Sequence, residues 1–420
     1  MFEFHKQMNK SGCLAGWREY VTGFIEKTPF HSLLFMIAII YLEGVPGLRW
    51  LVWTARLFLL SGLVIWFYNL RRKGCSSVHI PFLFLLFFVY SMLSGIWSTS
   101  VPDPSVLLDL MILGVFFFMA TNVIQPEIHF QKVLWLVQFI TLCFTVVTIV
   151  KTFGTGFLRA GAFPGQDPNV YGFYLLLAMG IQLAFIAAGP RQRHFWLHAG
   201  LLILNLTSLL ITESRGDFLG FVVMFLMLFW VGSFRKRWLV FAGFVLALLF
   251  FLPPGSALWE RFTSLAVDRG NRRLDIWLIS WHIIQSHPWF GIGLSNFPNE
   301  IGTYIQGTKT MNLIHPGTGV HNSILGIWSE LGLVGLLFFG WILATVLMHG
   351  RQVMKRLSNG TFESLAIQGL LIATTGIFAA SLCLGAYFRK YFWLPMALIE
   401  VLYQRRHQFG QTSEKTGIER

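Results

Sequence analysis

Apolar runs of about 20 residues, each long enough as a helix to cross the roughly 30 Å hydrocarbon core of a bilayer, follow one another along almost the whole 420-residue chain. One long polar stretch, Pro253 to His321, interrupts them. Within hydrocarbon every backbone N–H and C=O must find its partner inside the protein, so spanning segments are helices or closed barrels. Continuous apolar runs, rather than alternating ones, select helices. Composition agrees: charged residues make up only 12% of the chain, about half the ~25% of a soluble domain. The fold class this predicts is an all-α polytopic membrane protein of about twelve transmembrane helices, with one large loop containing an amphipathic helix.

The predicted spans are 30–44, 50–70, 80–97, 105–124, 132–152, 169–189, 195–212, 217–234, 239–253, 322–346, 362–383 and 388–404. With a cytoplasmic N-terminus, about 20 basic residues fall on the cytoplasmic side in short clusters such as Arg71-Arg72-Lys73 and Arg405-Arg406, as the positive-inside bias requires. The predicted organisation is a cytoplasmic segment 1–28, a transmembrane bundle 29–253, a non-cytoplasmic loop 254–321, a second set of spans 322–404 and a cytoplasmic tail 405–420. No cleavable signal peptide is expected, because Met1 to Lys27 has no compact apolar core. The net charge of +13 reads as orientation charge facing membrane lipids and not as a nucleic-acid surface. Cys13, Cys75, Cys143 and Cys383 are too scattered to suggest a disulfide framework, a zinc site or haem attachment.

Arginines on the non-cytoplasmic side run against the orientation rule and need another reason. Arg159 lies in a Gly-rich connection, Arg215 in the turn Glu213-Ser214-Arg215-Gly216-Asp217, and Arg272 and Arg273 early in the loop. A guanidinium never loses its charge and grips a phosphate through two parallel hydrogen bonds, so several on one face suit a pyrophosphate. Each singly also suits a headgroup contact or a loop ion pair. His321, where the loop meets the next span, is the candidate for proton transfer because its ordinary pKa lies near neutrality. Asn322 beside it is placed to orient a hydroxyl or the imidazole, and His315 is a rival to His321. Glu330, inside the tenth span, is expected to make an inter-helix hydrogen bond first and to serve chemistry second.

Within the loop, Leu274, Trp277, Leu278, Trp281 and Ile284 recur at helical spacing, which predicts an amphipathic helix over 271–286 lying on the membrane or against the spans. Pro288 ends it, and Gly291, Gly293 and Gly302 are expected to form a flexible connection toward His321.

Four motifs occur in order: Arg159 to Asn169, with Asp167-Pro168-Asn169; Ser214-Arg215-Gly216; Arg273 through His287-Pro288-Trp289-Phe290-Gly291-Ile292-Gly293 to Asn296-Phe297; and His321-Asn322-Ser323 with Glu330 to Gly335. Together they resemble the O-antigen ligase and polymerase superfamily of bacterial envelope glycosyltransferases. The resemblance implies an enzyme of the bacterial inner membrane whose active site faces the periplasm. Its donor would be a glycan on undecaprenyl pyrophosphate and its acceptor a sugar hydroxyl of lipid A-core or of another glycan. Arg215 and Arg273, with Arg272 as neighbour, would hold the pyrophosphate, and His321 would take the hydroxyl proton. Arg159 and Asn169 would shape the donor site. One direct displacement would invert the anomeric centre, with no metal and no cofactor. A ligase acting on lipid A-core is the favoured branch, on size and on the single late loop; a polymerase and a protein O-oligosaccharyltransferase are the alternatives. A lipid-linked oligosaccharide flippase should instead bury its charges in the bundle and show related halves.

Overall fold

The computed structural model describes Gly23 and residues 25–73 apart from Gly44 and Pro46, then 81–124 apart from Pro102, 127–155, 161–231 apart from Pro164, 272–305 and 317–416. The described chain is helical: α1 over residues 25–40, α2 (Arg49–Lys73), α3 (Phe82–Leu93, followed by a 3-10 turn Ser94–Ile96), α4 (Pro104–Val123), α5 (Glu127–Thr155), α6 (Pro168–Ala187), α7 (Phe195–Thr212), α8 (Arg215–Val231), α9 (Arg273–Ser286), α10 (Phe297–Ile305), α11 (Ser323–Arg356), α12 (Phe362–Ser381) and α13 (Lys390–Thr416). Seven of these, α2, α4, α5, α6, α7, α11 and α12, are long and apolar enough to cross a membrane, and α3 with its 3-10 turn forms a shorter apolar helix. The span expected over 239–253 lies outside the described residues, as do loop residues 254–271, Arg159 and His315.

Helix starts follow from local sequence. Asp103 and Asp167 each precede a proline, and each carboxylate accepts the backbone N–H two residues on, of Ser105 at 2.8 Å and of Asn169 at 2.9 Å. An aspartate cap followed by proline is a favourable entrance, since proline has no N–H to leave unsatisfied. Asn322 caps α11 by accepting from Leu325 N at 3.0 Å, and Thr361 caps α12 through Ser364 N at 3.2 Å.

Helices α6 and α12 are buried almost throughout and form the centre of the bundle, whereas α2 turns most of its surface outward, Trp50, Leu57 and Val64 included. Small residues bring the central backbones together. A Cβ on Gly180 of α6 would stand 2.6 Å from Ala373 Cβ of α12, and one on Gly220 of α8 would stand 2.6 Å from Gly376 O. Such approaches replace the hydrophobic drive that helices lack in lipid. Buried amides join α5, α6 and α7: Gln182 donates to Gln138 at 2.7 Å, Asn205 to Gln182 at 3.3 Å and Thr145 to Asn205 at 2.7 Å. At the end where α12 begins, Glu363 pairs with Arg405 and Arg406.

Helix α11 is broken. Gly332 has φ 69° and ψ −174° within it, which frees backbone groups on both sides of the break. Residues Pro288–Gly293 occupy them. Ile292 N donates to Ser329 O at 3.0 Å and Gly293 N to Glu330 O at 2.8 Å, while Leu333 N donates to Pro288 O at 2.9 Å and Val334 N to Trp289 O at 3.2 Å. Tyr90 of α3 satisfies Leu331 O at 2.7 Å. Irregular backbone within a spanning helix is tolerated where neighbouring chain re-satisfies it.

Two expectations about the loop are corrected. Gly291 and Gly293 do not form a flexible connection: a Cβ on Gly291 would stand 2.4 Å from Glu330 O, so the segment is packed against the broken helix. Gly302 lies within α10. Helix α9 forms where predicted, but its buried face carries Asp275, Ile276, Ile279, Ser280, Ile283 and Ile284, while Leu274, Leu278 and Trp281 point outward. The helix is apolar on two sides. Ile276, Ile279 and Ile283 are taken by Phe297, Ile301 and Val320, and periodicity could not choose between the faces.

Candidate functional site

Three of the sequence-predicted residues stand at or beside helix entrances that need left-handed backbone. Arg215 opens α8 two residues after Glu213 (φ 51°), Arg273 opens α9 directly after Arg272 (φ 63°), and His321 itself has φ 52° one residue before the Asn322 cap of α11. Among the described residues only one other non-glycine residue, Ser295 at φ 61°, has positive φ. Left-handed backbone costs a residue with a Cβ about 1–2 kcal/mol, and strain of this kind gathers at functional sites.

These entrances share one end of the bundle. Helix α9 is tied to the approach to His321 by Trp277, whose indole donates to Val320 O at 3.2 Å, and by Ser280, whose hydroxyl donates to Leu325 O at 3.3 Å. Trp277 is one turn on from Arg273, so the bond at Val320 fixes Arg273 relative to His321. The connector between α12 and α13 brings in the third element. A Cβ on Gly216, beside Arg215, would stand 2.9 Å from Cys383 Cβ, and one on Gly385 would stand 3.9 Å from His321 N. Ala386 N donates to Ser323 Oγ at 3.2 Å.

Electrostatics report the same convergence. His321 keeps an exposed surface, yet its pKa falls below the ordinary histidine value, first because surrounding protein desolvates it and then because Arg273 repels a proton, with Asp167 partly opposing. The Cys383 thiol is pushed up by burial; the charges of Arg273 and Arg215 lower it and that of Asp217 raises it. Arg215, Arg273 and Asp217 therefore all act on Cys383, and Arg273 acts on His321 as well.

The remaining predicted residues divide. Asn169 lies in the first turn of α6 and donates through Nδ2 to Asp167 Oδ1 at 2.9 Å, which sets it beside a carboxylate whose field reaches His321. Asn322 commits Oδ1 to capping α11. Arg272 is exposed as the residue before α9, and Arg273 is the member of the doublet that reaches both His321 and Cys383. Glu330 makes the expected hydrogen bond, and its partner is Tyr387 in the connector, whose OH donates to Oε2 at 2.9 Å.

Sequence reasoning missed the parts played by Cys383, Tyr387 and Asp217. Asp217 is fully buried and lies where a Cβ on Gly172 would be, 2.0 Å from Oδ2. An aspartate two residues after Arg215 next to a membrane span was a signal for it. Nothing in the run Cys383 to Tyr387 announced contact with His321.

The fold and this cluster define a multi-pass membrane protein with arginines and a histidine gathered at helix entrances at one end. Residues 200–340 match the family model described as O-Antigen ligase, a span that holds Arg215, Arg273 and His321. The chain is also 24% identical over 365 residues to the teichuronic acid biosynthesis protein TuaE of Bacillus subtilis (strain 168), covering 78% of this chain and 72% of that one. Both support the O-antigen ligase and polymerase superfamily, the group that the motifs resemble, and with it a membrane glycosyltransferase-like enzyme of polysaccharide biosynthesis.

Proposed function

We propose that this protein transfers a glycan from undecaprenyl pyrophosphate to a sugar hydroxyl of lipid A-core at the periplasmic face of the inner membrane. The observation that carries this reading is that the helix entrances bearing Arg215, Arg273 and His321 share one end of the bundle, where the charge of Arg273 acts on His321 and those of both arginines act on Cys383. In this reaction the acceptor oxygen attacks the anomeric carbon as the bond to the pyrophosphate oxygen breaks, inverting the centre. The hydroxyl proton passes to the ring nitrogen of neutral His321, and the electron pair of the breaking bond stays on the pyrophosphate. Arg215 and Arg273 meet the charge developing there with fixed, always-ionised donors. Arg273 has a second effect: after desolvation, its charge lowers the His321 pKa further, which favours the neutral form that acts as a base. In this proposal Arg159 and Asn169 shape the donor site, Arg272 stands beside Arg273 at the pyrophosphate, and Asn322 and His315 belong to the substrate-binding region.

The test is transfer from an undecaprenyl pyrophosphate-linked oligosaccharide to lipid A-core by purified protein, with and without EDTA. Transfer unaffected by EDTA supports displacement without a metal, and loss of transfer in EDTA contradicts it. A second reading, a polymerase that extends a lipid-linked chain, is favoured by the similarity to TuaE, since the product in that name is teichuronic acid and not a lipid A-core glycan. The same assay separates the two readings if lipid-linked glycan is offered as the alternative acceptor.

A further inference from the structure

Glu330 is a carboxylate at membrane depth, 4% exposed, in the short first stretch of α11 that ends at the Gly332 break. Its surroundings are assembled from three separate pieces of chain. The backbone N–H groups of Ser295 and Phe297 lie on the carboxylate's side, and Phe297 is the first residue of α10. Ser295 is in left-handed backbone, two residues before α10 opens. From the other side Tyr387 donates its OH at 2.9 Å. The main chain of Glu330 is held by the same loop segment, Gly293 N donating to Glu330 O at 2.8 Å.

Tyr387 reaches Glu330 only by lying across Gly326: a Cβ there would stand 2.7 Å from Tyr387 Cε1 and 2.9 Å from its OH. From Tyr387 the connector runs back along α11 toward His321. Ala386 bonds Ser323, Gly385 faces the His321 backbone, and Cys383 lies against Gly216, next to Arg215. The Glu330–Tyr387 hydrogen bond therefore pins the far end of the segment whose near end packs against both the histidine and the Arg215 turn.

We propose that Glu330 is a positioning residue: through Tyr387 it holds the connector 382–389 that sets His321 against the Arg215 and Arg273 entrances, and through Ser295 and Phe297 it fixes the loop to the same frame. This rests on the transfer reaction proposed above. The carboxylate touches no reacting atom. Its removal should leave donor binding intact and loosen the seat of the base, so the loss appears in kcat and in the pH dependence.

The experiment compares wild type, Glu330→Gln, Tyr387→Phe, the double variant and His321→Ala as purified full-length protein, with an undecaprenyl pyrophosphate-linked oligosaccharide and lipid A-core. Tyr387→Phe keeps the ring on Gly326 and deletes only the hydroxyl, so it carries the test should Glu330→Gln fold poorly. The expected result has several parts. Melting temperatures of the folded variants stay within a few degrees of wild type. Donor KM changes less than about twofold, while kcat falls about tenfold or more in each single variant. The double variant is no worse than the poorer single, because both remove one contact. The acidic limb of the pH profile moves relative to wild type. Wild-type kcat and an unmoved limb in Tyr387→Phe would overturn the proposal while His321→Ala stays inactive, which leaves the transfer reaction standing. Transfer that persists in His321→Ala overturns the reaction and this inference with it.

Discussion

His321 occupies left-handed backbone that few residues other than glycine, asparagine and aspartate adopt readily. A replacement can therefore separate the backbone requirement from the chemical one. His321→Asn accepts φ 52° and removes the base: the expected outcome is an unchanged melting temperature with transfer lowered about 10²- to 10⁴-fold, the range for general-base removal. If His321→Asn transfers at the wild-type rate, the histidine is structural. A second prediction concerns pH. Neutral imidazole is the active form, and desolvation and Arg273 both hold its pKa below the ordinary value of about 6.5. The acidic limb of kcat/KM should lie below that value. Arg273→Gln removes a charge that opposes protonation, so the limb should move up; Asp167→Asn removes one that favours it, so the limb should move down. Shifts in the reverse directions would show that these charges do not govern the base. Arg215→Lys keeps charge but not the planar pair of donors and is expected to lose activity about 10²-fold or more. The candidate residues themselves were legible in the sequence. Arginines placed against the orientation rule and a histidine at a loop-to-span junction stand out in the chain. The shared role of Cys383, Gly385 and Tyr387 did not, because that stretch of small and aromatic residues resembles any other span boundary until it is folded against His321.

The element that most shapes the site is the broken helix α11. Its first stretch carries Asn322 at one end and Glu330 near the other, and the segment Pro288–Gly293 closes the break. Gly332 cannot accept a side chain: its φ is 69°, and a Cβ would stand 2.1 Å from Trp289 O. Gly332→Ala should destabilise the protein by about 2–3 kcal/mol or more, read as a clear drop in melting temperature. Gly340, on the same helix with nothing within 4 Å of its Cβ position, is the control, and Gly340→Ala should be neutral or slightly stabilising. Equal effects at the two positions would contradict the packed break. The sequence drew notice to Gly291 and Gly293 but suggested flexibility, and gave no sign of Gly332, since a glycine required by close backbone approach reads the same as one in a loose turn. Helix α9 teaches a related lesson. Isoleucines on one side and Leu274, Leu278 and Trp281 on the other make both faces apolar, and only its neighbours decide which is buried.

At the scale of the molecule, helix directions place residues 96–104, 161–168, 212–215, 317–322 and 382–389 at one end, and residues 188–195 and 357–361 at the other. If the first end is periplasmic, cysteines introduced at exposed positions should sort accordingly. In a background without native cysteines, Val101→Cys should react with a membrane-impermeant maleimide in intact spheroplasts, and Arg193→Cys only after permeabilisation. Labelling in the opposite pattern would invert the orientation. The membrane class was readable from apolar run length alone, and helices are found at every predicted span that falls within the described residues. The centre of the bundle was not readable, because α2 and α12 are both apolar runs and only the small residues of α6, α8 and α12 distinguish a packed core helix from one facing lipid.

The central claim is that three helix entrances build one transferase site, and a single assay addresses it most directly. Purified protein is incubated with an undecaprenyl pyrophosphate-linked oligosaccharide and lipid A-core, and the glycosylated product is measured for wild type, Arg215→Ala, Arg273→Ala and His321→Ala. The account predicts transfer by wild type and at least about a 10²-fold loss in each variant at unchanged folded yield. Wild-type rates in any one of the three folded variants would remove that residue from the site, and in all three would contradict the account.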